Sequence, residues 1–195
     1  MKRPLVLGAI GLAAATAAGL GYSATRSDFV AIDRCLAANG VWDDRSRRCM
    51  PLPDGPVDHI LVDKSDHAMW AFREGKQVRK FRIALGFGGL GPKHKQGDGR
   101  VPEGQYLITA HNEASAYHLS LRIGYPTPAQ IEAADKAGVN PGGDIMIHGL
   151  PNGGIHVGSR HVLRDWTAGC IGLTDREIDW LFDAVPDGTP IEIRA

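Results

Sequence analysis

Twenty-five glycines and twelve prolines cut this 195-residue chain into short runs. That punctuation favours short strands joined by turns over a helix bundle. From Val57 onward the runs are of β type: Val57 to Asp63, Ala68 to Arg73, Gln77 to Leu85, Gln105 to Ala110, Ala116 to Gly124, Ile145 to Ile147 and Ile191 to Ile193. Glu74-Gly75-Lys76 reads as the hairpin turn between the second and third. Two segments have helical signals. Thr127-Pro128 opens one that runs to about Lys136, stopped by Gly138. Thr174-Asp175-Arg176-Glu177 is a capping box, and Ile178, Leu181, Phe182 and Val185 follow at helical spacing. Hydrophobic residues make up 43%, enough to build a packed core. The expected class is mainly β with short helices.

The first 25 residues read as an export signal. Lys2 and Arg3 precede an uncharged Ala/Gly-rich stretch from Leu5 to Leu20, and small residues follow at Ser23-Ala24. The stretch is long for a signal core and short for a membrane span. It reads as a cleaved signal peptide or, failing cleavage, as an N-terminal anchor. Both put the domain outside the cytoplasmic membrane, in the periplasm or cell envelope. Lys+Arg 22 balances Asp+Glu 22, so no global field draws the chain to nucleic acid. A monomer is expected.

In an oxidising compartment Cys35 and Cys49 are the natural disulfide pair. They close a small appendage with an Asn39-Gly40 turn signal, and the crosslink contributes about 3 kcal/mol by loop-closure entropy. Pro51, Pro53 and Pro56 mark a linker, so residues 26–56 are appendage and linker and 57–195 the main domain.

Cys170 is left over, and its surroundings decide what it is. An apolar strand delivers His148, followed by Gly149; a Gly-rich loop leads to Thr167-Ala168-Gly169-Cys170. A free thiol with a reference pKa near 8.5 is only a few per cent thiolate at neutral pH, and a neighbouring imidazole can take its proton. Backbone N–H groups at Gly169 and Cys170 are suited to a developing oxyanion. Against this stands the reading of Cys170 as a small buried hydrophobe and of His148 as a structural residue.

The segment DIMIHGLPNG…DWTAGCIGL, residues 144 to 173, resembles the catalytic motif of the L,D-transpeptidase catalytic domain (YkuD-type) family, in its branch with DWTxGC. GPKHKQGDGRVPEGQY, SAYHLSLRIGYP, NPGGDIMIHGLPNG and VPDGTPIEI are similar to that branch's further blocks, in order. The resemblance implies a β-sandwich-like catalytic domain. Its implied activity is acyl transfer from a peptidoglycan tetrapeptide stem through a Cys thioester, with no cofactor. Carried over by position, Cys170 is the nucleophile, His148 the proton donor and acceptor, and Gly169 shapes the oxyanion site. Gly149 and Thr167 belong to the substrate side of the motif. Ala168 stands where the family commonly has His, Gly172 where an Arg is frequent, and Val101 where Thr is common.

Other residues divide between site and scaffold. Lys93, His94, Lys95 and Arg100 form a basic loop; Lys93 and Arg100 are candidates for a stem-peptide carboxylate, and the competing reading is a solvated turn. Tyr117, His118, Ser120 and Tyr125 either line the groove or alternate in a sheet. His156 and His161 raise the question of a metal, but no HExxH or CxxC accompanies them, so none is expected. Asp165 either packs the loop or orients a histidine. Two alternatives to the transpeptidase stand: a hydrolase with the same Cys-His site, and a non-catalytic wall-binding module.

Overall fold

Alternating burial marks the inner face of strands such as His59–Asp63, Gly104–Ser115 and Pro190–Arg194, and hydrogen-bonded register joins those faces into a curled sheet. The computed structural model describes residues 28–35, 37, 38, 40–43, 45–51, 55–153 and 158–195. The leader read over residues 1–25, Asn39 and His156 lie outside the described residues.

A helical segment, α1 (28–35), precedes a hairpin of β1 (Gly40–Asp43) and β2 (Arg48–Pro51). The Cys35–Cys49 disulfide forms and ties the helix to the hairpin. The hairpin's turn falls at residues 45–47, and Gly40 is paired with Pro51 as the first residue of β1.

The main sheet has the order β5-β4-β3-β10-β6-β7-β8-β9. β3 (His59–Asp63), β4 (Ala68–Arg73) and β5 (Lys76–Arg82) form an antiparallel meander. Glu74 and Gly75 connect β4 to β5 with φ of 50° and 70°, the paired left-handed conformation of a two-residue hairpin loop. β6 (Gly104–Ser115) is long enough to serve two neighbours. Its first half pairs with β10 (Pro190–Arg194), its second half with β7 (His118–Ile123), and a register shift between Ile108 and Ala110 marks the change. Such bulges bend a strand from one layer into the next. The short β8 (Met146–His148) and β9 (Ile171–Gly172) complete the sheet in parallel.

The Gln77–Leu85 run is not one strand. It stops pairing with β4 at Arg82, and Ala84 and Gly86 then bridge to Gly172 and Thr167. The two edges of the sheet therefore meet, which gives the β-sandwich-like closure. Likewise β7 begins at His118 because Ala116 and Tyr117 form the turn after β6.

Inside the curl, Ile60, Val62, Ile108, Ile123, Ile147, Ile171, Ile191 and Ile193 share one core with Ile178, Leu181 and Val185 from the last helix. That helix, α3 (Asp175–Ala184), has its capping box of Thr174 and Glu177 formed on both sides. Full burial of Ile178 and Leu181 contributes roughly 1.5–3 kcal/mol each. α2 (Pro128–Lys136) has a second capping box, between Thr127 and Gln130. Among the described residues no helix is long and apolar enough to cross a membrane.

Candidate active site

Cys170 sits in a turn laced on two sides by backbone. Thr167 N–H donates to Leu85 O at 3.1 Å, and Gly172 N–H donates to Ala84 O at 2.8 Å. On the other side Leu173 N–H donates to His148 O at 2.9 Å. The parallel register Ile147↔Ile171 sets Cys170 opposite Met146. Side chains alternate along a strand, so Cys170, Met146 and His148 share one face.

That face floors a groove of about 370 Å³. Cys170, His148, Ser120, Tyr117, Trp166 and Phe87 are among its lining residues. Its size is in the range of small-molecule and peptide sites.

The thiol is half-buried, and its immediate partners are backbone. Met146 N–H donates to Sγ at 3.4 Å, and the thiol donates to Asp144 O at 3.6 Å. Burial pushes the thiol's pKa up; the Met146 N–H opposes this and Asp144 adds to it. No hydrogen bond joins Sγ to His148 among the described residues. The imidazole is engaged behind: Nδ1 lies 2.8 Å from Gly149 O. A carbonyl only accepts, so Nδ1 carries the hydrogen and Nε2 is left basic. Burial lowers the His148 pKa, against the raising effect of the Gly149 bond, so the ring is neutral at pH 7.

Thr167 is buried and organises the turn: its Oγ1 donates to Cys170 O at 2.7 Å and accepts Gly169 N–H at 3.3 Å. The Gly169 N–H is therefore occupied within the turn, and the Cys170 N–H has no hydrogen-bond partner among the described residues. Gly169 has φ of 126°, and a Cβ there would stand 2.8 Å from Arg100 O, so both backbone and space require glycine. Gly149 packs behind the site, donating to Tyr117 O at 3.0 Å.

The basic loop is directed at itself. Asp98 gathers Lys93 Nζ at 2.8 Å and the N–H groups of His94, Lys95 and Arg100. Burial opposes ionisation of Asp98, but these donors more than offset it and hold its carboxyl well below the usual range. Arg100 Nε donates to Gly88 O at 3.0 Å. The Lys93 side chain is only 4% exposed, so its ammonium braces the loop instead of facing open solvent. Beneath the same loop, fully buried Lys64 donates to Gly91 O, Val101 O and Glu103 Oε1.

Tyr125 is 6% exposed and donates to Pro141 O at 3.0 Å, which places it in the core and outside the groove. His118 pairs with Asp179, away from the lining. Asp165 does hold a histidine, but it is His67 at 3.1 Å, and its other bond caps Leu85 N–H. Gly172, at the family's Arg position, faces Trp166: a Cβ there would be 2.8 Å from the indole. His161 is buried away from Cys170, and no group of three metal-binding side chains occurs among the described residues.

Sequence reasoning missed the Met146 N–H on the sulfur, the stacking of Tyr117 on His148, and Asn152. Only the last carried a signal, as the Asn-Gly turn after the histidine.

A model of the L,D-transpeptidase catalytic domain family matches residues 57–193. The chain belongs to this family. Among relatives, YafK of Escherichia coli (strain K12), whose name marks it as a provisional L,D-transpeptidase, is 32% identical over 141 residues. That match covers 69% of this chain and 49% of YafK, so the chain spans about half the length of the curated relatives it matches. Among solved structures, the helical cell shape determining protein Pgp2 from Campylobacter jejuni superposes with a TM-score of 0.55 at 23% identity, over 72% of this chain and 48% of that one. Bd1075 of Bdellovibrio bacteriovorus gives 0.51 at 20% identity, over 80% and 51%. At those identities the two show a shared fold. The L,D-transpeptidase fold thus carries here the mainly β architecture, with Cys170 and His148 on one face of its short parallel pair.

Proposed function

We propose that this L,D-transpeptidase-family chain acts in the cell envelope on peptidoglycan stem peptides, with Cys170 as nucleophile and His148 as base. The observation that carries the reading is the shared groove. A half-buried thiol opens into it beside an imidazole whose Nδ1–H is fixed on Gly149 O and whose Nε2 is basic.

In the reaction, Sγ attacks the carbonyl of the third stem residue of a tetrapeptide. The thiol proton passes to His148 Nε2, and the Cys170 N–H steadies the oxyanion. Collapse breaks the amide; terminal D-alanine leaves with the proton from His148 on its amine. An acceptor amine then attacks the thioester, gives its proton to His148, and releases the cysteine thiol with a new amide. The Sγ–imidazole bond is made when substrate displaces the thiol from Asp144 O; catalytic hydrogen bonds of this kind tighten in the complex.

The test is incubation of purified protein with disaccharide tetrapeptides, read by mass. A crosslinked dimer supports transfer. Loss of D-alanine or of existing crosslinks without dimer assigns the thioester to water instead. Full activity in Cys170→Ala, or a thiol that no carbapenem acylates, rejects the mechanism and leaves a binding module.

A further inference from the structure

Tyr117, in the turn between β6 and β7, acts on His148 in two ways. Its ring lies over the imidazole, with centroids 4.4 Å apart and planes at 38°. Trp166 meets the same imidazole edge to face, at 5.5 Å and 69°, and stands 6.1 Å from Tyr117, so the three rings form one aromatic cluster. The Tyr117 carbonyl also accepts Gly149 N–H at 3.0 Å, and Gly149 O is the acceptor for His148 Nδ1–H. One residue thus covers the ring and holds the N–H of the residue whose carbonyl sets its tautomer.

The turn is itself pinned by Asn152. Its Nδ2 donates to Ser115 O at 2.8 Å, its Oδ1 accepts His118 N–H at 2.8 Å, and its own N–H donates to Ala116 O at 3.0 Å. Ser115 O can only accept and His118 N–H can only donate, so the amide has one orientation. His118 is held at φ of 63°, a conformation that persists where surroundings over-determine it. The three bonds span the segment leaving His148 and both ends of the turn.

We propose that Tyr117 is a positioning residue for His148, and that Asn152 is the clamp that keeps Tyr117 over the ring. This rests on the reading of His148 as the base. The ionisable groups around the imidazole are Cys170 in the groove, Asp144 on the approach to β8, and His161 and Asp175 behind, from the 3-10 turn Gly158–Leu163 and from α3. None of them hydrogen-bonds the ring among the described residues. Tyr117 supplies cover from the open side, where it is itself 40% exposed, so its replacement leaves the core intact.

The experiment is an NMR titration of the full chain with labelled histidine, His148→Gln providing the assignment. Wild type, Tyr117→Phe, Tyr117→Ala and Asn152→Ala are compared, alongside the pH profile of carbapenem acylation. In Tyr117→Ala and Asn152→Ala the His148 titration moves up toward the ordinary imidazole range and the Nδ1–H tautomer loses its dominance. The acid limb of acylation moves up with it, because the ring must be neutral to take the thiol proton, and the rate at the plateau falls ~10- to 100-fold. Tyr117→Phe restores the wild-type titration and the limb. An unchanged titration in Tyr117→Ala overturns the proposal, and an unchanged one in Asn152→Ala overturns the clamp. Titration needs no turnover, so a wild-type protein without activity strikes the functional reading alone.

Discussion

The sulfur of Cys170 receives its hydrogen bond from the backbone N–H of Met146, at 3.4 Å, and not from an imidazole. The resting site is therefore a neutral thiol beside a neutral histidine. Burial explains both halves: it raises the thiol's pKa and lowers that of His148, so an ion pair is disfavoured on each side.

This arrangement fixes how the free protein reacts with a small alkylating agent. Iodoacetamide modification of Cys170 is expected to rise through a single limb above the ordinary thiol range, with no acid plateau. His148→Ala leaves the shape of that profile as it was, while carbapenem acylation, which needs proton transfer, falls ~10²- to 10⁴-fold. A reactive thiolate at pH 5 in the free protein is the contrary result, since it requires a preformed ion pair.

Acid sensitivity is expected from His161. The ring is 6% exposed, its Nδ1 has no hydrogen-bond partner among the described residues, and burial holds its pKa down to about 4. The unfolded chain takes up a proton near 6.5 and the folded one does not until about 4, so the unfolded state binds more protons between. Stability from this group is complete above the unfolded value and is lost as pH falls through that window, by about 3 kcal/mol. His161→Leu removes this slope, as urea titrations at pH 7 and pH 4.5 measure. Burial raises the pKa of Glu177, which acts in the opposite sense, so the difference between variant and wild type isolates the histidine.

Gly169→Ala is expected to disable the site before it unfolds the protein. The residue's φ of 126° is foreign to alanine, and the new Cβ meets Arg100 O at 2.8 Å. The strain is about 1–3 kcal/mol, and relief of it shifts the adjacent Cys170. A lowered melting temperature together with a reduced acylation rate checks this; wild-type acylation speaks against the close approach.

Lys64→Ala removes the ammonium that joins Gly91 O, Val101 O and Glu103 beneath the basic loop. Three acceptors lose their donor in a buried place, at a cost of about 3 kcal/mol. Hydrogen exchange rises over residues 91–103 in the variant.

Where the sequence was legible, the signal was local. The Thr174–Glu177 capping box, the Glu74-Gly75 hairpin and the Cys35–Cys49 pair involve residues close along the chain, and each forms. The ordered motif blocks also carried the family, and with it the mainly β class. The basic loop was legible as a cluster of charges but not as a direction: only the fold turns Lys93 and Arg100 onto Asp98 and Gly88. Tyr125 read equally as groove or sheet, and packing against Tyr106 placed it in the core.

By itself the chain's order of residues determined which side chains are chemically able to act: a thiol, an imidazole, and glycines that keep their neighbours close. It did not determine their arrangement. The face shared by Cys170 and His148 exists because β8 and β9 pair in parallel, and the Tyr117 turn reaches His148 from another hairpin. Such contacts join segments distant along the chain. They are set by how a curled sheet closes around its core, and no local spacing encodes that closure.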